Sequence, residues 1–201
     1  MANIYAFEGL RPVVDPSSFV HPTATLIGDV IIGPNCFVGP GAVMRGDFGR
    51  LILEASCNLQ DNCVVHSYPG RESVVHELGH IGHGAILHGC TVGRNALVGM
   101  GAVVMDNVVV GEEAFVGALS FVASGMAVPP RTLVIGRPAK VTRELSAGEV
   151  ARKTRGTGIY VDLAARFARS MVPCTPLAAP EPDRPRLDDL KVTPLGFKEG
   201  R

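Results

Sequence analysis

The chain has 201 residues with 19 Lys+Arg against 19 Asp+Glu, a formal net charge of zero, so neither nucleic acid nor an anionic membrane is indicated as a partner. Hydrophobic residues make up 46% and aromatics only 5%, with no Trp, which leaves Val, Ile, Leu and Ala to build the core. With 24 Gly and 15 Pro the chain must turn many tight corners.

The opening MANIYAFEGLRPVVDPSS lacks the basic start and apolar run of a signal peptide. No stretch of eighteen apolar residues follows, so no membrane span is expected. The five cysteines (36, 57, 63, 90 and 174) form no CxxC pair. They read as small apolar filler in a reducing cytoplasm, the expected location.

From residue 20 an aliphatic residue recurs every six positions: Val20, Leu26, Ile32, Val38 and Met44. The pattern continues in a shifted phase at Leu53, Leu59 and Val65. It breaks at SYPGRESVVHELGH, residues 67–80, which reads as an excursion loop. It resumes at Ile86 and steps by six through Val92, Val98, Val104, Val110, Val116, Val122 and Val128 to Val134. A second, smaller series (Cys90, Ala96, Ala102, Val108, Ala114, Ser120) trails the first by four. A period of six is neither helical nor that of a plain strand. It fits a short strand followed by a turn, stacked in coils about 4.8 Å apart. The expected fold is therefore a hexapeptide parallel β-helix over residues 10–140.

Two histidines follow inward aliphatics: His66 after Val65 and His88 after Leu87. They lie 22 residues apart, one coil of about 18 plus part of the loop, so they can stack on successive coils. His83 precedes His88 by five residues, about 15 Å along an extended side. It is expected to reach the pair from a neighbouring chain in a homotrimer. Each interface would then hold three imidazoles and an open position, the pattern of catalytic zinc; iron or cobalt suits the same ligands.

Past Val134 the spacing becomes helical. Residues 141–172 read as a helical segment packing on the prism, with a capping box at Ser146 and Glu149 and an apolar stripe at Ile159, Leu163, Phe167 and Met171. Gly156 and Gly158 are expected to break it. The Pro-rich tail, residues 173–201, should be extended.

MRGD at 44–47, NLQDNCVVH at 58–66 and IGHGAILHGCTVG at 81–93 together resemble the γ-class carbonic anhydrase-like hexapeptide-repeat family. The resemblance implies a left-handed prism, metal ligation by His66, His83 and His88 with His83 supplied in trans, and an interface ion pair between Arg45 and Asp47. It also implies that Asn58, Gln60 and Asp61 surround the metal-bound water, with Asp61 orienting Arg45. Phe48 and the loop start SYPG stand where strongly active anhydrases carry acidic proton shuttles, which argues against fast CO2 hydration.

Arg143-Glu144-Leu145, Glu149, Lys153, Gly156-Thr157, Tyr160, Leu163-Ala164, Arg166 and RPRL at 184–187 look like the phenylacetate-degradation branch of that family, which has a carnitine-operon relative. That branch implies a metal-dependent acyl-CoA thioesterase acting on hydroxylated or ring-modified phenylacetyl-CoA thioesters. The alternatives are a γ-class carbonic anhydrase with weak CO2 hydration, or a hexapeptide acyltransferase that needs a catalytic His base and no metal.

Overall fold

Backbone groups of each short strand are satisfied by the next coil, and this vertical pairing builds the molecule. Val64 pairs with Ile86, Ile86 with Val103 and Val103 with Phe121, all parallel. The same ladder climbs the other faces, from Thr91 to Val109 to Ala127 and from Leu97 to Phe115 to Leu133. The result, a computed structural model describing residues 2–184, is a left-handed parallel β-helix of about 7 turns with one C-terminal helix. The fold matches the expectation read from the period of six, with one helix where several were expected.

The inward ladder forms the core. Leu26, Val38, Met44, Leu59, Val98, Val104, Val110 and Val116 are all fully buried. The smaller series (Cys90, Ala96, Ala102, Val108, Ala114) is fully buried behind it, and Cys36, Cys57 and Cys63 fill equivalent corners. Ile86 is the exception. It faces outward, 40% exposed, and Leu87 takes the inward place because this side of the coil is one residue shorter.

Two long strands, Thr25–Ile32 and Val43–Leu53, run round a corner, so two faces share one 12-stranded sheet. Gly28 and Gly46 lie on this crossing. A Cβ at Gly28, where φ is +71°, would sit 2.4 Å from the Gly46 carbonyl oxygen, so only glycine allows the approach. The third face is a separate 8-stranded sheet.

The expected excursion at 67–80 is shorter than its sequence suggests. Ser73–Val75 rejoins the ladder between Leu51–Leu53 and Thr91–Val92, and His80–Ile81 pairs with Asn58–Leu59. Ser73 takes an inward place usually held by an aliphatic and donates its hydroxyl to the Cys90 carbonyl, 2.9 Å away. The inward aliphatics step ten residues from Val65 to Val75 and then six to Ile81 and Leu87, so the inserted residues hid the repeat.

Residues 139–144 form a strand antiparallel to Thr132–Gly136, where helix was expected from 141. The helix proper, α1, spans Ala147–Ser170 and opens on the expected Ser146–Glu149 capping box. It runs unbroken through Gly156 and Gly158. Both glycines face open space, and the packed side of the helix outweighs their cost of about 1 kcal/mol each. The tail is exposed as far as Arg184; the rest of the expected 173–201 segment lies outside the described residues.

α1 covers the outward column of the third face. Tyr160 and Phe167 contact Phe37 at ring-centroid distances of 5.5 and 5.6 Å, and Phe167 reaches Phe19 at 5.2 Å. The buried stripe is Val150, Lys153, Thr157 and Ala164, one register away from the expected Ile159–Leu163 line. Lys153 is fully buried; its ammonium donates to the Leu78 carbonyl and, at 2.9 Å, to Asn95 Oδ1.

Burial pulls the Lys153 pKa from 10.5 to about 7. The unfolded chain then binds the extra proton across that window, so stability falls as pH drops from 10.5 towards 7. Urea unfolding should show wild type gaining up to about 1.4 kcal/mol per pH unit between pH 7 and 8.5. Lys153→Met should lose that slope; an unchanged slope in the variant contradicts the assignment.

Candidate functional site

The vertical ladder sets His88 directly on His66 as Cα partners. Their rings lie 5.2 Å apart, and His66 Nδ1 is 3.2 Å from His88 Nε2. Each outer nitrogen meets a carboxylate. His66 Nε2 is 2.8 Å from Asp47 Oδ1, and His88 Nδ1 is 2.5 Å from Asp106 Oδ1. An ionised carboxylate only accepts, so both outer nitrogens carry the proton. Both inner nitrogens, His66 Nδ1 and His88 Nε2, are then lone-pair acceptors that face each other.

Arg45 binds the second oxygen of Asp47. Partial burial alone would raise the Asp47 carboxyl, yet hydrogen bonds from His66 and Arg45 hold it below the usual carboxylate range. The Phe48 ring lies 5.4 Å from the His66 ring, tilted 50° to it. The pair is partly open: the His66 side chain is 12% exposed and that of His88 31%.

Asp106 was not among the residues singled out in the sequence. It lies eighteen positions after His88, one coil further on, and that spacing was the available signal. Gly89 makes room for it, since a Cβ there would sit 2.6 Å from Asp106 Oδ1.

The other expected site residues fall elsewhere in the chain. His83 sits in the turn after His80–Ile81 and bonds Asp61, Nδ1 to Oδ2 at 2.8 Å, with both side chains largely exposed. Asp61 thus engages His83 and not Arg45. Asn58 and Gln60 lie under α1 on the third face. Gln60 Nε2 contacts Asn58 Oδ1 at 2.9 Å and His80 Nε2 at 2.7 Å, and His80 Nδ1 is 3.2 Å from Thr157 Oγ1. Burial, with smaller repulsion from Lys153 and His83, lowers the His80 pKa to about 3, so this imidazole is neutral. These two side chains are buried as an anchor for the helix, a role that their sequence motif did not reveal.

Among the described residues no group of three His, Cys, Asp or Glu side chains is arranged within the chain to hold one metal ion. The chain presents two imidazoles with their carboxylates, while His83, expected to complete the set from a neighbouring chain, lies apart from them in its own chain.

One further feature borders the pair. Val43, Val64, Ile86, Val103 and Phe121 stack as one outward column on the face that carries His66 and His88. Val64, Ile86 and Phe121 are 37–40% exposed. Such a stripe of apolar side chains on a sheet face marks an association surface.

The family model described as bacterial transferase hexapeptide (six repeats) matches residues 11–46 and 89–124. A relative from Citrobacter koseri, named carnitine operon protein CaiE, is 58% identical over 183 residues, covering 91% of this chain and 93% of its own length. A Bacillus cereus structure, provisionally described as an acetyltransferase, is 36% identical with a TM-score of 0.82, covering 84% of this chain and 98% of that one. A hexapeptide transferase family protein from Anaplasma phagocytophilum is 37% identical with a TM-score of 0.79, covering 82% and 98%.

These findings correct the functional expectation. The high-identity relative is named for a carnitine operon, and the structural neighbours are described as transferases. The reading as a metal-dependent phenylacetyl-CoA thioesterase, and with it the zinc and the carbonic anhydrase alternative, gives way to the acyltransferase alternative. No helix among the described residues is long and apolar enough to cross a membrane. The chain belongs to the hexapeptide-repeat transferase family, within the group of carnitine operon proteins CaiE.

Proposed function

We propose that this protein is an acyl-CoA-dependent acyltransferase serving carnitine metabolism. The observation that carries the reading is the His66–His88 pair, with each ring held by its own carboxylate. The two inner lone pairs face each other. An acceptor hydroxyl or amine can then give its proton into the gap while its oxygen or nitrogen attacks the thioester carbonyl. The new C–O or C–N bond forms, the C–S bond breaks, and the proton passes from the imidazole pair to the departing CoA sulfur. Asp47 and Asp106 keep the outer nitrogens protonated throughout, so the reacting lone pairs always point inward. Arg45 in turn positions Asp47.

A homotrimer fits the outward column. Burying Val64, Ile86 and Phe121 against a second copy would place the imidazole pair at a seam between chains, beside the partner's His83 turn. A cavity of about 680 Å3, lined by Val103, Leu119, Ser120, Phe121 and Arg137, continues the same face and offers the amide-bearing pantetheine arm of CoA a wall and its phosphates a cation. Carnitine, a small hydroxy acid, is the first acceptor to test because of the relatives' name.

CoA release, followed by a thiol reagent, should require an added acceptor, with carnitine at the head of the panel. His88→Ala should lower kcat/KM by about 10²–10⁴ while the far-UV spectrum is kept. Asp106→Asn should also lower it, by releasing the tautomer. Full turnover by His88→Ala, or equal CoA release without acceptor, contradicts the proposal.

Ile86→Glu should shift the mass measured by light scattering from three copies to one and abolish transfer. A wild-type protein that runs as a monomer refutes the interfacial site.

A further inference from the structure

A second cavity, of about 470 Å3, lies between the N-terminal half of α1 and the third face. That volume is within the range of small-molecule sites, about 300–1,000 Å3. Leu97, Phe115 and Leu133 form one wall, Met100 and Leu145 extend it, and Tyr160 closes the side under the helix.

Its polar groups are nearly all committed. His80 and Gln60 bond each other at 2.7 Å, and the imidazole is neutral. His83, at the rim, is paired with Asp61. Arg143 meets Glu149 through two contacts, at 3.1 and 2.7 Å, so their charges cancel. Arg152 is the one uncommitted cation in the lining, and the Tyr160 hydroxyl also has no hydrogen-bond partner among the described residues. The Arg152 guanidinium forms no ion pair among the described residues, and its Nε is buried without a hydrogen-bond partner. A guanidinium cannot discharge by losing its proton in a protein, and a buried N–H without an acceptor is an unmet cost. The cavity therefore has apolar walls and one buried guanidinium N–H without an acceptor.

We propose that this cavity binds a small monocarboxylate with an apolar body, the carboxylate accepting from the Arg152 guanidinium and the hydrocarbon lying on Leu97, Phe115 and Leu133. The site goes beyond the acyl-transfer reading and shares no group with the His66–His88 pair. Arg152 supplies the planar fork that matches a carboxylate in two contacts, while Leu97, Phe115 and Leu133 supply an apolar wall for the hydrocarbon.

Isothermal titration of the full chain with octanoate, 1-octanol and octylamine tests it by binding alone. Saturable octanoate binding is expected, with 1-octanol at least about tenfold weaker and octylamine showing none. Arg152→Gln should bring octanoate down to the level of 1-octanol, and Arg152→Lys should restore part of the difference, with melting temperatures confirming that both variants fold. Equal affinity of wild type for octanoate and 1-octanol, or no saturable octanoate binding, overturns the proposal. So does a folded Arg152→Gln that binds octanoate as wild type does. If Arg152→Gln fails to fold, the wild-type contrast between octanoate and 1-octanol decides alone. Because no turnover is read, a negative result here leaves the acyltransferase assay standing, and the reverse also holds.

Discussion

Every structural decision in this chain follows from one constraint: the strands are too short to satisfy their own backbones and must hydrogen-bond to the coil above and the coil below. A strand of two or three residues has no independent stability. Stacked in register, it exposes neither edge except at the ends of the rod. The register turns chemistry in one dimension into columns in three, so that residues one coil apart become neighbours. The core is a column of this kind, and so is each feature of the surface.

The site reads as the intersection of columns. His66 and His88 are one step apart on the first face. Asp47 and Asp106 come from the coils on either side and close the outer nitrogens. The apolar column beside them gives the site a place to meet a second chain. On the third face the same logic stacks Phe19, Phe37, Asn58, His80, Leu97 and Phe115, and α1 lies over them. The rod is thus differentiated by what its outward columns carry, while its interior is close to uniform.

The inward ladder was legible because burial demands an aliphatic at each sixth place, and the stacking of His66 on His88 followed from coil length. What was missed has physical causes. The ten-residue step from Val65 to Val75 broke the period, although Val75, Ile81 and Leu87 keep it beyond that point. Gly156 and Gly158 looked like helix breakers because propensity is local, whereas the helix is held by its contacts with Phe19, Phe37 and His80. Asn58 and Gln60 matched a motif whose residues here anchor α1. Asp106 needed the coil spacing to be applied once more, beyond the motif. The chemistry was the least legible part. His66, His88, Asp47 and Arg45 belong to a scaffold that hosts more than one reaction, and motif likeness alone pointed to the thioesterase.

The claim on which the account rests is that the two imidazoles, fixed from outside by carboxylates, face each other with their lone pairs inward. Nitrogen-15 NMR of the histidine rings in the full-length protein measures this directly. The account predicts protonated nitrogens at His66 Nε2 and His88 Nδ1, with His66 Nδ1 and His88 Nε2 showing the shifts of lone-pair nitrogens. Finding the proton of His66 on Nδ1 and that of His88 on Nε2, with the outer nitrogens bare, would contradict it.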